Sequence, residues 1–341
     1  MASKTKRAAG WLAACAALLL LLGGAIAAAS AWFWLQHPLT LDASAVELSI
    51  EPGTTPREVA QDWVDAGVQT SPQLLYQWFR WSGQARRIRA GSYQIGSGTT
   101  PRQLLDKMVQ GDEMLERLRL AEGWTWRQVR SALAAAPHLK PTTQGLSEAE
   151  LMQALGDGAA SIEGRLFPDT YVYSRGVSDL TLLKRAHGAM RRQLDAAWAQ
   201  RGADTPLRSA DQALILASIV EKESGPKDDP AMVAMVFVNR LRIGMPLQSD
   251  PTIIYGLGEA FDGNLRKRDL QADAAFNTYT RAGLPPTPIA LPSAASLRAV
   301  VQPKPGKALY FVARGDGSSA FSDNLAEHNR AVKQYQRKAN P

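Results

Sequence analysis

Between Asp211 and Gly225 the apolar residues recur at spacings of three and four. Ala213, Leu216, Ala217 and Val220 therefore share one face of a helix. Ser209 or Asp211 is placed to cap its start, and Gly225-Pro226 to stop it. The last turn holds two carboxylates, Glu221 and Glu223. Two apart, they point to nearly opposite sides. Glu223 lies three residues past Val220 and four past Ile219, so it continues the apolar face. Desolvation at such a place favours the neutral carboxyl, as a general acid requires. Position alone favours the plainer reading of two solvated glutamates at a helix end. A second amphipathic helix is predicted over Ala231–Leu241, ending in Asn239-Arg240. Gly244 then punctuates the chain, and residues 245–252 read as a polar loop or short hairpin.

The pattern upstream is different. Residues 8–36 carry no charge and follow Lys4, Lys6 and Arg7. The run is long enough to span a bilayer, and the preceding cations place residues 1–7 in the cytoplasm. Trp32, Phe33 and Trp34 stand where an interfacial aromatic belt belongs. Ala29-Ser30-Ala31 fits a signal-peptide cleavage site, but the apolar run is longer than a usual signal core and continues beyond it, so a retained anchor is the expectation. Leu12-Ala13-Ala14-Cys15 only superficially matches a lipidation site, because most of the apolar segment follows Cys15.

Residues 37–45 read as a linker. A repeat follows over 46–136. Val46–Ile50 alternates as a strand, and Gly53-Thr54-Thr55-Pro56-Arg57 opens a helix. Tyr93–Ile95 is strand-like again, and Gly98-Thr99-Thr100-Pro101-Arg102 opens another helix. Thr before Pro is a natural N-cap with Pro at the first helical position. A looser third copy runs from Leu118 to Ala134. Between the first two, Leu74 to Trp81 is an aromatic-rich helix whose Trp78 and Trp81, like Trp63 before them, are expected in the core. A boundary is expected over 138–147, and further helices over 148–155, 180–201, 293–301 and 325–336. Leu309–Val312 and Ala320–Ser322 read as paired strands, whereas 265–270 reads as irregular and exposed.

Composition narrows the chemistry. The chain has 341 residues, a net charge of +7, one cysteine and four histidines. One cysteine excludes an intrachain disulfide, and no ligand spacing suggests a metal, so no metal or other cofactor is expected. The basic residues are scattered, without a phosphate-binding loop or DNA-binding signature. A membrane surface or an acidic wall polymer is therefore a better partner than nucleic acid.

Three blocks in order resemble the endolytic murein transglycosylases, the MltG or YceG-like family. They are Ile219-Val220-Glu221-Lys222-Glu223-Ser224, Val236-Phe237-Val238-Asn239-Arg240-Leu241 and Leu247-Gln248-Ser249-Asp250-Pro251-Thr252. Residues 162–171, with Glu163 and Asp169, and 277–289 resemble further blocks of the same family. For Glu163 and Asp169, fixing a loop is the preferred role over lining a cleft. The Glu223-Ser224 pair also resembles the Glu-Ser motif of lysozyme-like lytic transglycosylases. The resemblance implies an α+β chain. It would have an N-terminal transmembrane helix, a small LysM-like strand–helix module, and a mainly helical catalytic domain with short strands over 145–336.

It further implies cleavage of the β-1,4 bond between N-acetylmuramic acid and N-acetylglucosamine within glycan strands, leaving 1,6-anhydro ends and so limiting strand elongation. One glutamate would serve as acid and then base. Glu223 is the first choice and Glu221 the second. Asn239, Gln248, Asp250, Tyr255, Asn277 and Tyr279 are candidates for holding sugar hydroxyls and acetamides; each equally fits a role in satisfying loop backbone. Peptidoglycan strands are the implied substrate, peptidoglycan synthases are candidate protein partners, and the catalytic domain would face the periplasm from the inner membrane. A hydrolytic muramidase and a non-catalytic glycan-binding scaffold remain as alternatives.

Overall fold

The structure is a computed structural model that describes the backbone of residues 2–336 and the side chains from residue 18. The side chains of Lys4, Lys6, Arg7 and Cys15 lie outside the described residues. The chain divides into two compact units. One runs to Glu116 and includes Ser174–Gly176; the other comprises Arg117–Tyr173 and everything from Val177 on.

The first unit begins with α1 (Ala2–Gln36). Its segment Leu18–Gln36 is long and apolar enough to cross a membrane. Leu18–Leu22, Ile26, Trp32 and Phe33 stand exposed on it. Then come β1 (Thr40–Leu41), β2 (Ala45–Ile50), α2 (Pro56–Asp65), β3 (Val68–Gln69), α3 (Pro72–Trp81), β4 (Gly91–Gly96) and α4 (Pro101–Gln110). The two repeat copies join through β2 and β4, which run antiparallel with Ala45 opposite Gly96 and Ile50 opposite Gly91. β1 pairs with β3. Both Thr-Pro helix starts form capping boxes, Thr55 with Glu58 and Thr100 with Gln103. Trp63, Leu75, Phe79, Tyr93, Leu104 and Met108 fill the core, where the Trp63 indole N–H points at Met108 Sδ at 3.2 Å. Trp63 is in the core as expected. Trp78 is only half-buried, donating to Pro101 O at 3.1 Å. Trp81 lies outside the core, 75% exposed, because it sits at the helix end with nothing packed over it.

The second unit contains β5 (Leu115–Arg119, whose first two residues belong to the first unit), α5 (Trp126–Ala135), α6 (Glu148–Leu155), β6 (Thr170–Ser174), α7 (Asp179–Ala199), α8 (Ala210–Glu223), α9 (Pro230–Arg242), α10 (Asp250–Leu257), α11 (Lys267–Gln271), α12 (Ala294–Val301), β7 (Tyr310–Ala313), β8 (Ser319–Ser322) and α13 (Leu325–Tyr335). The third repeat copy belongs here, so the division falls before the boundary expected over 138–147. The reason is packing. β5 pairs with β6, and Trp126 and Val129 of α5 share a core with Leu151, Ile162, Leu166 and Leu182.

α8 is the central helix of the other core. Ala213, Leu216, Ala217 and Val220 are buried against Phe237 and Val238 of α9 and Leu297 and Val300 of α12. β7 and β8 pair antiparallel, Tyr310 opposite Ser322. Two local expectations change. The loop predicted over 245–252 ends early, because Asp250-Pro251 start α10 with Pro in the first turn. The segment 265–270, expected to be irregular, contains the short helix α11.

Candidate active site

The last turn of α8 sends its two glutamates to different surroundings. Glu221 Oε2 accepts from Ser293 N at 2.9 Å, Ser293 Oγ at 2.6 Å and Ser296 Oγ at 2.7 Å. It thus ties α8 to the start of α12, and all three donors converge on one oxygen. That is a structural arrangement.

Glu223 is held differently. Its Oε1 accepts a single side-chain hydrogen bond, from Ser249 Oγ at 2.6 Å. Burial pushes its carboxyl up to about 7, and nearby Asp250 adds to the rise. The Ser249 hydrogen bond and, more weakly, Arg240 oppose it. Near neutral pH this carboxyl can therefore both give and take a proton. Ser224, its neighbour in the Glu-Ser pair, does not serve it. Ser224 Oγ donates to Val220 O at 2.8 Å and closes the helix.

Ser249 carries no sequence-level mark of this role, and its position is fixed on several sides. It is the N-cap residue of α10 but makes no side-chain cap, because its hydroxyl is turned to Glu223. Its N–H donates to Thr278 Oγ1 at 3.0 Å, and its carbonyl accepts from Thr252 Oγ1 at 2.7 Å. Thr252 and Thr278 are themselves bonded at 2.9 Å, and all three are buried. The preceding Gln248 adopts a left-handed φ of 52°, an uncommon conformation for a non-glycine residue. Its N–H is fixed on Thr278 O at 3.0 Å. Arg240, 7% exposed, pins the same loop by donating from Nη1 to Leu247 O and from Nε to Leu309 O, each at 2.7 Å. Its guanidinium lies over the Tyr310 ring, 5.2 Å from the centroid. A reader of the sequence could have found Ser249 only as the short hydroxyl inside the Leu247–Thr252 block.

Glu223, Arg240, Gln248, Asp250, Tyr279 and Tyr310 line one cleft of about 670 Å³. Tyr279 Oη donates to Asp250 Oδ1 at 2.6 Å. Burial and this carboxylate push the phenol pKa up. Three of the predicted contact residues thus meet at Glu223: Gln248, Asp250 and Tyr279.

The other three do not. Asn239 donates to Gly306 O and Ala308 O, each at 3.1 Å, and lines a separate hollow. Asn277 is buried and clamps a loop. Its amide donates to Asp269, Leu270 and Ala272 carbonyls, and its Oδ1 accepts from Tyr279 N at 2.9 Å. It orients Tyr279 rather than facing the cleft. Tyr255 belongs to a second cleft of about 1140 Å³, lined also by Trp126, Lys222 and Glu163. Asn239 and Asn277 thus satisfy loop backbone, the other role their residue type allows, and Tyr255 faces a cleft other than that of Glu223.

Glu163 fixes a loop, as the sequence suggested, and also lines the second cleft. Trp126 N lies 3.0 Å from both of its oxygens, and Gly164 N donates to Oε1 at 3.2 Å. Burial pushes this carboxyl up to about 7 as well. Gly164, at φ 74°, has no room for a Cβ, which would strike Pro288. That contact docks residues 162–171 on 277–289. Asp169 Oδ1 accepts from Thr170 N at 2.7 Å, a local loop contact. Among the described residues no cluster of His, Cys, Asp or Glu could hold a metal ion.

A carboxyl raised to about 7, in a cleft shared with Asp250, Gln248 and two tyrosines, is a site for acid–base chemistry on a polar substrate. The YceG-like family profile matches residues 48–334, and the chain belongs to that family. It is 28% identical over 321 residues to an endolytic murein transglycosylase of Bacillus subtilis, covering 88% of each protein. It is 25% identical over 333 residues to an endolytic murein transglycosylase of Streptococcus pneumoniae, covering 87% of this chain and 60% of that one. A crystal structure of a YceG-like protein from Listeria monocytogenes matches with a TM-score of 0.51 and 25% identity, covering 84% of this chain and 98% of the other.

Proposed function

We propose that the chain is an endolytic peptidoglycan lytic transglycosylase with Glu223 as both acid and base. The observation that carries this is the state of Glu223. It is desolvated to a pKa of about 7 and faces a sugar-sized cleft, with one hydrogen bond from Ser249 on Oε1. That hydrogen bond leaves Oε2 to bear the proton. Family membership and the relatives' names supply the substrate class.

In the first step Glu223 gives its proton to the glycosidic oxygen, and the bond from that oxygen to C1 of N-acetylmuramic acid breaks. The substrate's own acetamide stabilises C1, so no second enzyme carboxylate is needed, unlike the two-carboxylate glycosidases. The Glu223 carboxylate then takes the proton of the C6 hydroxyl. O6 bonds to C1, a 1,6-anhydro end forms, and Glu223 is protonated again. No water is consumed. Gln248, Asp250 and Tyr279 hold the sugars, with Tyr279 oriented by Asn277. Mass analysis of purified glycan strands after digestion tests the reading. Anhydro ends are expected. Reducing ends would establish a hydrolytic muramidase instead, and intact strands a binding scaffold.

Around this chemistry the reading places α1 as a single-pass inner-membrane anchor with residues 1–7 cytoplasmic and the catalytic unit periplasmic. The apolar stretch from Leu18 supports it, and so do Lys4, Lys6 and Arg7 before the uncharged run. Protease added outside spheroplasts is expected to digest residues 40–341; full protection would reverse the topology. The two strand–helix copies of the first unit act as a LysM-like glycan contact, and peptidoglycan synthases are the natural partners for an enzyme that ends growing strands.

A further inference from the structure

α3 in the first unit presents Leu74 and Trp81 to solvent, 51% and 75% exposed. Seven residues apart, they lie on one helix face. Arg80, Arg86, Arg87 and Arg89 are exposed beside them. From residue 66 to residue 105 the chain carries five arginines and no aspartate or glutamate. The stretch is aromatic and basic along its sequence; of its arginines, Arg89 turns toward Gly111, near Asp112 and Glu113.

Its place in the unit matters more than its composition. Leu39, three residues after α1 ends, donates its N–H to Thr99 O at 2.8 Å. Trp78, on the last turn of α3, donates its indole N–H to Pro101 O at 3.1 Å. The exit of the apolar helix and the end of α3 are therefore both fastened to the short stretch Thr99–Pro101. Trp34, at the end of α1, packs against the core of the same unit. Trp81 follows Trp78 by three residues, about 5 Å of helix rise. The basic, aromatic edge thus lies at the end of the unit from which the apolar helix emerges. Tryptophan favours the membrane–water interface, and arginines beside a membrane helix are drawn to anionic headgroups.

We propose that the edge formed by Leu74, Trp81, Arg80, Arg86 and Arg87 seats on the anionic headgroup surface of the bilayer crossed by α1. This seat adds a second attachment to the single helix and holds the first unit against the membrane. The proposal rests on α1 being a membrane anchor, so the test reads the two separately.

The full chain carrying Cys15→Ala and Trp81→Cys is labelled with bimane and reconstituted in phosphatidylcholine vesicles, with or without phosphatidylglycerol. A second sample carries the label at Ile26→Cys in α1. Lipid spin-labelled near the headgroup is expected to quench the Trp81→Cys probe at least twofold more in the anionic vesicles. Raised salt, or Arg80→Gln, Arg86→Gln and Arg87→Gln together, is expected to abolish the difference. Quenching of the Ile26→Cys probe from the acyl chains should persist throughout. If that probe is buried in lipid while the Trp81→Cys probe stays open to aqueous iodide in both vesicles, the proposal is overturned. Protection of the Trp81→Cys probe by purified glycan strands, but not by lipid, would overturn it in favour of a sugar platform. An Ile26→Cys probe open to water would remove the anchor itself.

Discussion

Two clefts in the second unit each contain a glutamate pushed up to about 7 by burial, Glu223 in one and Glu163 in the other. By pKa alone the two are the same residue. Their hydrogen bonds separate them. Glu163 holds Trp126 N with both oxygens and Gly164 N with one, so its carboxyl is committed to two backbone donors at a helix start and a loop. Glu223 accepts one bond on one oxygen, from a hydroxyl. Glu221, two residues away, concentrates three donors on one oxygen. A perturbed carboxyl marks a candidate, and the lone pairs left over decide whether it can move a proton.

The largest test of this comparison is Glu223→Gln. The amide keeps the size and can still accept from Ser249, but it cannot donate and reclaim a proton. Formation of anhydro ends is expected to fall by about 10²–10⁴-fold or more with folding intact. Glu221→Gln and Glu163→Gln are expected to keep most activity in the same assay. A folded, inactive Glu221→Gln beside a fully active Glu223→Gln would reverse the assignment.

Next in size is Glu221→Ala, which leaves three donors without their acceptor. Loss of about 2–3 kcal/mol is expected in chemical denaturation, with much less for Glu221→Gln. An unchanged unfolding midpoint for the alanine variant would refute a structural role.

Glu223→Gln also carries a stability prediction. A carboxyl whose pKa is raised in the folded state binds a proton that the unfolded chain has already released. Native stability is thereby lost as pH rises from about 4.5 to about 7. The amide escapes that loss. The variant should therefore be more stable than the parent by on the order of 2 kcal/mol above pH 7, and no more stable near pH 4. Equal denaturation curves at both pH values would mean that Glu223 is not desolvated.

The smallest effect belongs to Ser249→Ala. The Ser249 hydroxyl lowers the Glu223 pKa, so its removal should raise it further. The alkaline limb of the kcat/KM profile, where the acid loses its proton, is then expected to move up by about half to one unit. A limb that stays in place would show that another group titrates there.

Short-range effects along the chain set the individual elements. The period of three and four from Ala213 to Val220 requires a helix with one buried face, and Glu223 continues that face. The Thr55-Pro56 and Thr100-Pro101 pairs start helices because side-chain capping and the fixed proline backbone act within a few residues. These are short-range effects, readable without a fold. Helical phase puts Glu223, and not Glu221, on that face, whereas the choice of Glu223 as the acid rests on the family blocks around it.

Tertiary structure alone decided which distant groups meet. Ser249 serves Glu223 while Ser224 next door closes a helix, because the left-handed Gln248 and the buried Thr252–Thr278 pair turn the Ser249 hydroxyl toward α8. Asn239 and Asn277 look like sugar ligands in the sequence. Asn239, on α9, instead holds the distant carbonyls of Gly306 and Ala308, and Asn277 holds those of the nearby loop at Asp269, Leu270 and Ala272. Tyr255 and Glu163 sit in a second cleft although Tyr255 is five residues from Asp250. Polar side chains of one type fit a substrate and a loop equally well, and only the packed chain sets which partners come within hydrogen-bonding reach.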